Sequence, residues 1–330
     1  MSFRPHPVKN SLPIAKFIAK RIVLGVLTLV VISAIIFFVT QALPSDAARI
    51  ILGRDATPET VRDLRQKLGL NRSVFVQYWD WLSGFVRGDF GKSFTTDRSI
   101  WSSASQQVGA SMFLLACAAV MSIPVSLVIG SYAALKRDKT FDNSSSTVLL
   151  ILAAMPEFVV GTIVIMLFAT VVFKWLPGTA YLSPDDPPWA NPEGLILPIF
   201  TLVASVTPYV ARVMRASMIE VLESDYVEMA RLKGMSEKIV VRRHAVPNAV
   251  GPVFQVIALN LAYLAGGVIV VERLFSFPGV GLALLDAVRV RNLPVIQFLA
   301  LFIAAVYVLT NLLADIGTVL VTPRLRTKLQ

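Results

Sequence analysis

Asp225 to Asn248 reads DYVEMARLKGMSEKIVVRRHAVPN, the longest polar, helix-compatible stretch in a chain otherwise built of apolar runs. Asp225 is placed to cap a helix, with Glu228 reaching back as the second acid of a capping box. Tyr226, Met229 and Ala230 then fall on one helical face. Gly234 stands where a left-handed residue ends a helix. Ser236 and Glu237 restart a second helix, whose last turn holds Arg242, Arg243 and His244, where cations suit the dipole. Pro247 is expected to close it. Two short helices joined at a sharp turn read either as a docking element or as an amphipathic helix lying on anionic lipid. What flanks them decides between the two.

The flanks are membrane. The sequence has 330 residues, 55% of them hydrophobic and 16% charged, with a mean hydropathy of +0.68. That composition describes an integral membrane protein rather than the pair of soluble domains that length alone suggests. The net charge of +10 is scattered between apolar runs and not gathered on one basic face, which argues against nucleic acid as a partner. The single cysteine, Cys117, lies inside an apolar run, so no internal disulfide can form. His6 and His244 offer no metal-ligand spacing. Gly91-Lys92-Ser93 ends like a phosphate-binding loop, but the glycine required five residues before Gly91 is Val86. No nucleophile–base set, metal cluster or carboxylate pair emerges, so the chain is expected not to be an enzyme.

Charge-free runs long enough to cross a bilayer set the organisation. Residues 1–15 read as a cytoplasmic tail. Ile22–Leu43 is the first span, and Lys16, Lys20 and Arg21 precede it; the run exceeds the apolar core of a signal peptide. Pro44 to Gln107 is a long polar loop. It contains a helix that starts at Thr57-Pro58 and stops at Gly69. A second segment, Val74–Phe85, has Tyr78, Trp79 and Trp81 suited to a membrane interface. Val108–Leu135, with Pro124 inside, is the second span. Ser144–Phe173 is the third, broken at Met155-Pro156-Glu157-Phe158. Leu195–Ala211 is the fourth, Val250–Val271 the fifth and Leu293–Val321 the sixth, with a re-entrant-looking loop over Glu272–Pro294. Basic residues crowd the loop after span two (Lys136, Arg137, Lys139), the region 212–247 and both termini, whereas the loop after span three has Lys174 alone. The bias puts both ends and the Asp225–Asn248 stretch in the cytoplasm.

Glu228-Met229-Ala230, then Gly234, then Pro247 resemble the EAA motif of ABC-importer permeases. The motif's middle Ala is Met229 here, and where it usually ends I-x-L-P this sequence reads His244-Ala245-Val246-Pro247. Lys67–Phe94, Val213–Gly234, Val270–Gln297 and Asn311–Arg326 are likewise similar to dipeptide/oligopeptide-type (peptide/nickel family) permeases, so the resemblance runs from about residue 16 to 326. Departures are Ser73, Asn292-Leu293 and Thr322. The resemblance implies an all-α integral membrane fold of the type I importer class, with six transmembrane helices and a cytoplasmic coupling loop at 212–247. It divides the chain into a tail (1–15), a first helix with a long extracytoplasmic loop (16–107) and a five-helix core (108–326). It further implies a homologous second permease, two ATP-binding subunits and an extracytoplasmic solute-binding protein in an inner membrane. ATP and Mg would be bound by the ATPases, with no cofactor in this chain. Tyr226, Glu228, Met229, Ala230, Gly234 and Pro247 would carry the coupling to the ATPase.

Glu157 is the most informative single residue, because an acid beside Pro156 within a span marks a functional position by default. The pair is therefore a candidate for the translocation path, the alternative being a polar contact inside the bundle. Asn260 and Gln255 are open to the same two readings. Arg212 and Arg215 are expected to hold a helix end against lipid or a partner, and Asp315 to lie near the cytoplasmic interface. Two other functions fit the same architecture. An ion-driven secondary transporter calls for internal repeats and several intramembrane ionisable groups. A membrane anchor or scaffold for soluble partners explains the docking stretch but not Glu157 or the prolines inside spans. The solute is left open among dipeptides, oligopeptides, nickel chelates, glutathione and oligosaccharides.

Overall fold

The computed structural model describes residues 12–42, 47–53, 56–67, 69–183 and 186–321. The tail up to residue 11, Asp185, and the terminal Arg324, Arg326 and Lys328 lie outside the described residues. Within them the chain is helical, with one isolated bridge between Lys92 and Ser99. The helices are α1 (Leu12–Ala42), α2 (Ala47–Leu52), α3 (Pro58–Lys67), α4 (Val74–Val86), α5 (Ile100–Leu135), α6 (Thr140–Ala154) and α7 (Glu157–Ile165). They continue with α8 (Pro192–Leu222), α9 (Asp225–Leu232), α10 (Glu237–Ile239), α11 (Val246–Leu274), α12 (Val280–Arg289) and α13 (Leu293–Val321).

Five helices are long and apolar enough to cross a membrane, six when α6 and α7 are taken as one broken span. Several begin earlier than the apolar runs indicated: α1 at Leu12, inside the stretch assigned to the tail, and α5 at Ile100, inside the first loop. Polar residues that tolerate helix simply continue the apolar core outward. The sixth span, Leu293–Val321, coincides with α13. In the first loop, α3 opens on Thr57, whose hydroxyl accepts from Thr60 N, and Gly69 beyond its end has φ +67°.

Helix α8 is the centre. Of its apolar window 72% is buried, against 11% for α1. Its Leu197, Leu202, Val210, Met214 and Met218 are sealed in one cluster with residues of α5, α7 and α11. Helices α5 and α11 flank α8, α13 packs on α11, and α1 covers α13 at the edge. Lipid tails are as apolar as these side chains, so close packing and interhelical hydrogen bonds hold the bundle together. Side-chain hydrogen bonds also tie distant parts of the chain. Gln297 of α13 donates to Thr40 of α1 at 2.8 Å. Asn292 donates to Ser93 at 2.7 Å and accepts from the Phe94 amide at 3.1 Å, pinning the first loop to the α12–α13 turn. The departure from the family pattern at Asn292 thus fills a defined buried role. Tyr78 corrects the interface reading: it is buried and shares a 2.9 Å hydrogen bond with Ser33, among the rings of Phe37, Phe38 and Trp81. Trp79 is the exposed one.

Candidate functional site

The Asp225–Asn248 stretch folds as two short helices at a turn, with local chemistry different from the expected capping box. Ser224, not Asp225, is the N-cap of α9, and no side chain caps the helix. The Ser224 hydroxyl donates back to the Val221 carbonyl instead. Asp225 and Glu228 occupy the first turn, where carboxylates suit the positive end of the dipole. The carboxyl end is a Schellman motif: Gly234 has φ +79°, its amide donates to Arg231 O at 2.9 Å, and the Met235 amide donates to Ala230 O at 3.3 Å. Met235 then packs on Val227, Ala230 and Val240, the apolar contact that accompanies the motif.

The exposed face of α9 is narrower than the sequence indicated. Val227 and Ala230, three apart, point inward against Val240. Tyr226 (46% exposed), Met229 (52%) and Leu232 (74%) point outward. Ala230 therefore does not share the outer face with Tyr226 and Met229. Arg231 braces the turn from outside, giving two hydrogen bonds to Glu237 at 2.8 and 3.1 Å and a third to the Leu222 carbonyl at 3.2 Å. The hydrogen bond to Glu237 pushes the Arg231 guanidinium above its ordinary pKa.

Pro247 does not close the second helix. A π-helical segment, Val240–Ala245, leads directly into α11, so one helical span runs from Glu237 to Leu274. The wide turn lies just ahead of the residue that lacks an N–H, and Pro is tolerated in the first turn that follows. Whatever moves α9 is thereby joined through Arg231 and Glu237 to a helix that crosses the bundle.

The second candidate lies at the elbow between α6 and α7, which are bent by 111° relative to each other. Met155 is extended (φ −92°, ψ 132°), as a residue before proline is forced to be. Pro156 becomes the N-cap of α7 and Glu157 its first residue. The α6 end frees a carbonyl, Ala153 O, which the Tyr209 hydroxyl of α8 reaches at 3.3 Å. Tyr263 of α11 lies near the Glu157 carboxylate. Gly267, one turn further along α11, makes the room: a Cβ there would stand 2.6 Å from Glu157 Oε1. Gly266, from the same small-residue patch, faces open space.

Three polar arrangements were not visible as sites in the sequence. Asp142 and Arg215 form a bidentate pair between α6 and α8, so Arg215 has a partner inside the chain rather than in lipid. Glu272, fully buried, accepts from Ser111 of α5 and, at 2.7 Å, from the Gly281 amide in the first turn of α12. Its one signal was an acid placed shortly before the Pro278-Gly279 turn that starts a helix. Asp315 pairs with Arg21 at 3.1 Å between α13 and α1. Asn260 donates within its own helix, to Val256 O.

Comparison with known proteins gives a consistent set. A family model described as binding-protein-dependent transport system inner membrane component matches residues 126–327. A companion model for the amino-terminal part of such components matches 14–114. The chain is 35% identical over 312 residues to a protein of Sinorhizobium fredii described as a probable peptide ABC transporter permease, covering 94% of this chain and 99% of that one. It is 34% identical over 312 residues, with the same coverage, to the glutathione transport system permease protein GsiC of Escherichia coli K12.

Proposed function

Since the chain belongs to the family of binding-protein-dependent transport system inner membrane components and is a multi-pass permease of the peptide ABC-importer type, we propose how it works within such an importer. Its solutes are di- or oligopeptides or similar small molecules. It pairs with a homologous second permease and docks two ATP-binding subunits, which hold ATP and Mg and carry out hydrolysis. A solute-binding protein delivers cargo on the opposite side. Both termini are cytoplasmic, and this chain itself contributes no catalytic group or cofactor.

The observation that carries the reading is the outer face of α9. An exposed Tyr226–Met229–Leu232 ridge on a helix braced by a Schellman turn and by Arg231 has the form of a helix made to enter a groove. Its Glu228 stands in the first turn, and Gly234 fixes the exit. The brace hands any displacement to the continuous Glu237–Leu274 helix, and α11 in turn carries Tyr263 and Gly267 against Glu157. Closing of the ATPases on ATP would then move α11 against the elbow at Pro156, opening the path to one side. Such a change follows only because ATP binds the closed ATPases preferentially.

The test is reconstitution with a homologous second permease, ATP-binding subunits and a solute-binding protein. ATP-driven solute uptake is expected, and a Tyr226→Ala, Met229→Ala double variant should reach the membrane yet lose ATPase co-purification and uptake. Ion-driven uptake by the purified chain alone would overturn the proposal in favour of a secondary transporter. Normal ATPase retention in the double variant would leave α9 as a membrane-surface helix.

A further inference from the structure

We infer that Tyr181 and Trp189, on the connection between α7 and α8, form the contact on which the solute-binding protein docks. The inference rests on the permease reading and gives that partner its surface.

The connection is built to hold an exposed ring still. Tyr181 has φ +47°, a left-handed backbone that a bulky residue adopts only where its surroundings impose it. Here they do so through Ala180, which is fully buried. The Ala180 amide donates to the Phe275 carbonyl at 2.9 Å, and the Ala180 carbonyl accepts from Asn191 Nδ2 at 2.9 Å. Gly194 leaves the room for this clamp, since a Cβ there would stand 2.4 Å from Ala180 O. Asn191 is at the same time the N-cap of α8. Held this way, the Tyr181 side chain is 74% exposed. Trp189, two residues before Asn191 on the other side of the clamp, is 62% exposed, with an edge contact to Phe113 of α5.

Position selects the occupant. The clamp sits at the first turn of α8, whose 31 residues rise roughly 46 Å to the junction with α9, more than a hydrocarbon core of about 30 Å. The two rings therefore lie on the membrane face opposite the one where the ATP-binding subunits dock. Helix α8 is also the buried centre of the bundle, so the rings stand at the end of its middle, whereas interfacial anchors belong at the lipid-facing rim. Trp175 fits that rim: it is 70% exposed and follows the exposed Val171, Val172 and Phe173. A second permease packs beside the bundle, not over its end. The partner left for this place is soluble and arrives from the far side of the membrane, as the solute-binding protein does. Tyr and Trp are favoured anchors of such interfaces, and a backbone already fixed lowers the entropic cost of binding. Lys174 is the single cation between residues 171 and 193, while Asp186 and the exposed Glu193 stand in the same stretch. The matching surface is an apolar pocket with a basic rim. The Ala180–Phe275 bond further joins the docking site to the carboxyl end of α11, the helix whose other end reaches the α9 turn.

The test uses the complete importer in lipid nanodiscs, where both faces are open, with purified solute-binding protein as the probe. Tyr181→Ala combined with Trp189→Ala should raise the binding-protein concentration for half-maximal ATP hydrolysis about tenfold or more, the loss expected of two aromatic anchors. The second permease and the ATP-binding subunits should still co-purify. Tyr181→Phe, which keeps the ring, should match the parent. Tyr181→Gly separates docking from folding: glycine accepts the left-handed backbone, so this variant should melt no lower than the parent and yet dock more weakly. An unchanged half-maximal concentration in the double variant would overturn the inference and leave the rings as membrane anchors. Loss of the second permease on purification would overturn it in favour of a contact between permeases. A parent complex whose ATP hydrolysis ignores the binding protein would bring down the permease reading itself, and the docking site with it.

Discussion

Arg215 and Asp142 meet in a fork: Nε to Oδ1 and Nη2 to Oδ2 are both 2.6 Å, with the Asp142 side chain 1% exposed and that of Arg215 30%. The pair fastens the start of α6 to α8, the helix at the centre of the bundle, and the Asp138 amide adds a 3.0 Å bond to the same carboxylate. A bidentate fork matches guanidinium geometry and no ammonium can reproduce it.

Removing Arg215 would leave a buried carboxylate without its cation, a loss of about 3 kcal/mol. Arg215→Ala should lower the thermal stability of the detergent-purified protein clearly, and Arg215→Lys should restore only part of it. A joint Asp142→Asn, Arg215→Met change, which removes both charges, should be less damaging than Arg215→Ala alone. Equal melting of Arg215→Ala and the parent would show that the pair contributes nothing.

Gly234 separates backbone from packing. Its φ of +79° penalises a side chain, while a Cβ there would touch nothing within 4 Å. Gly234→Val should therefore cost about 1–2 kcal/mol in the left-handed region, whereas Asn visits that region readily. The expected phenotype is a Val variant that inserts but loses ATPase co-purification and uptake, beside an Asn variant that keeps both. Identical behaviour of the two would rule out the conformational argument. Ala230 makes a useful contrast. Buried against Val227 and Val240, it should respond to Ala230→Glu by unseating the whole loop, seen as faster proteolysis between Ser224 and Val240.

The arrangement of termini and loops follows from loop charge and is open to labelling. Ser183 and Ser236 are both exposed. Single cysteines at these positions, in a Cys117→Ala background, should react with impermeant maleimide from opposite sides of the membrane. Reaction of both from outside would exclude the proposed orientation.

The sequence by itself determined whatever depends on near neighbours. Apolar run length gave the spans, with Leu293–Val321 matching α13 in full. Pro156 gave the break between α6 and α7, because proline constrains the residue before it whatever surrounds them. Gly234 gave the turn, because only its φ is at issue. Where several local solutions were close in energy, the folded chain chose: Ser224 rather than Asp225 takes the N-cap position of α9, and the helix runs past Pro247 through a π-helical segment. The face of α9 that turns outward was decided by Val240 and Met235 arriving to cover Val227 and Ala230. The polar contacts were least legible. Ser111 and Glu272 stand 161 residues apart and Asp142 and Arg215 stand 73 apart, and no periodicity within a helix encodes a partner on another. Helical period fixes which residues share a face; only packing decides what that face meets, and for Glu157 it is Tyr263 and the space left by Gly267.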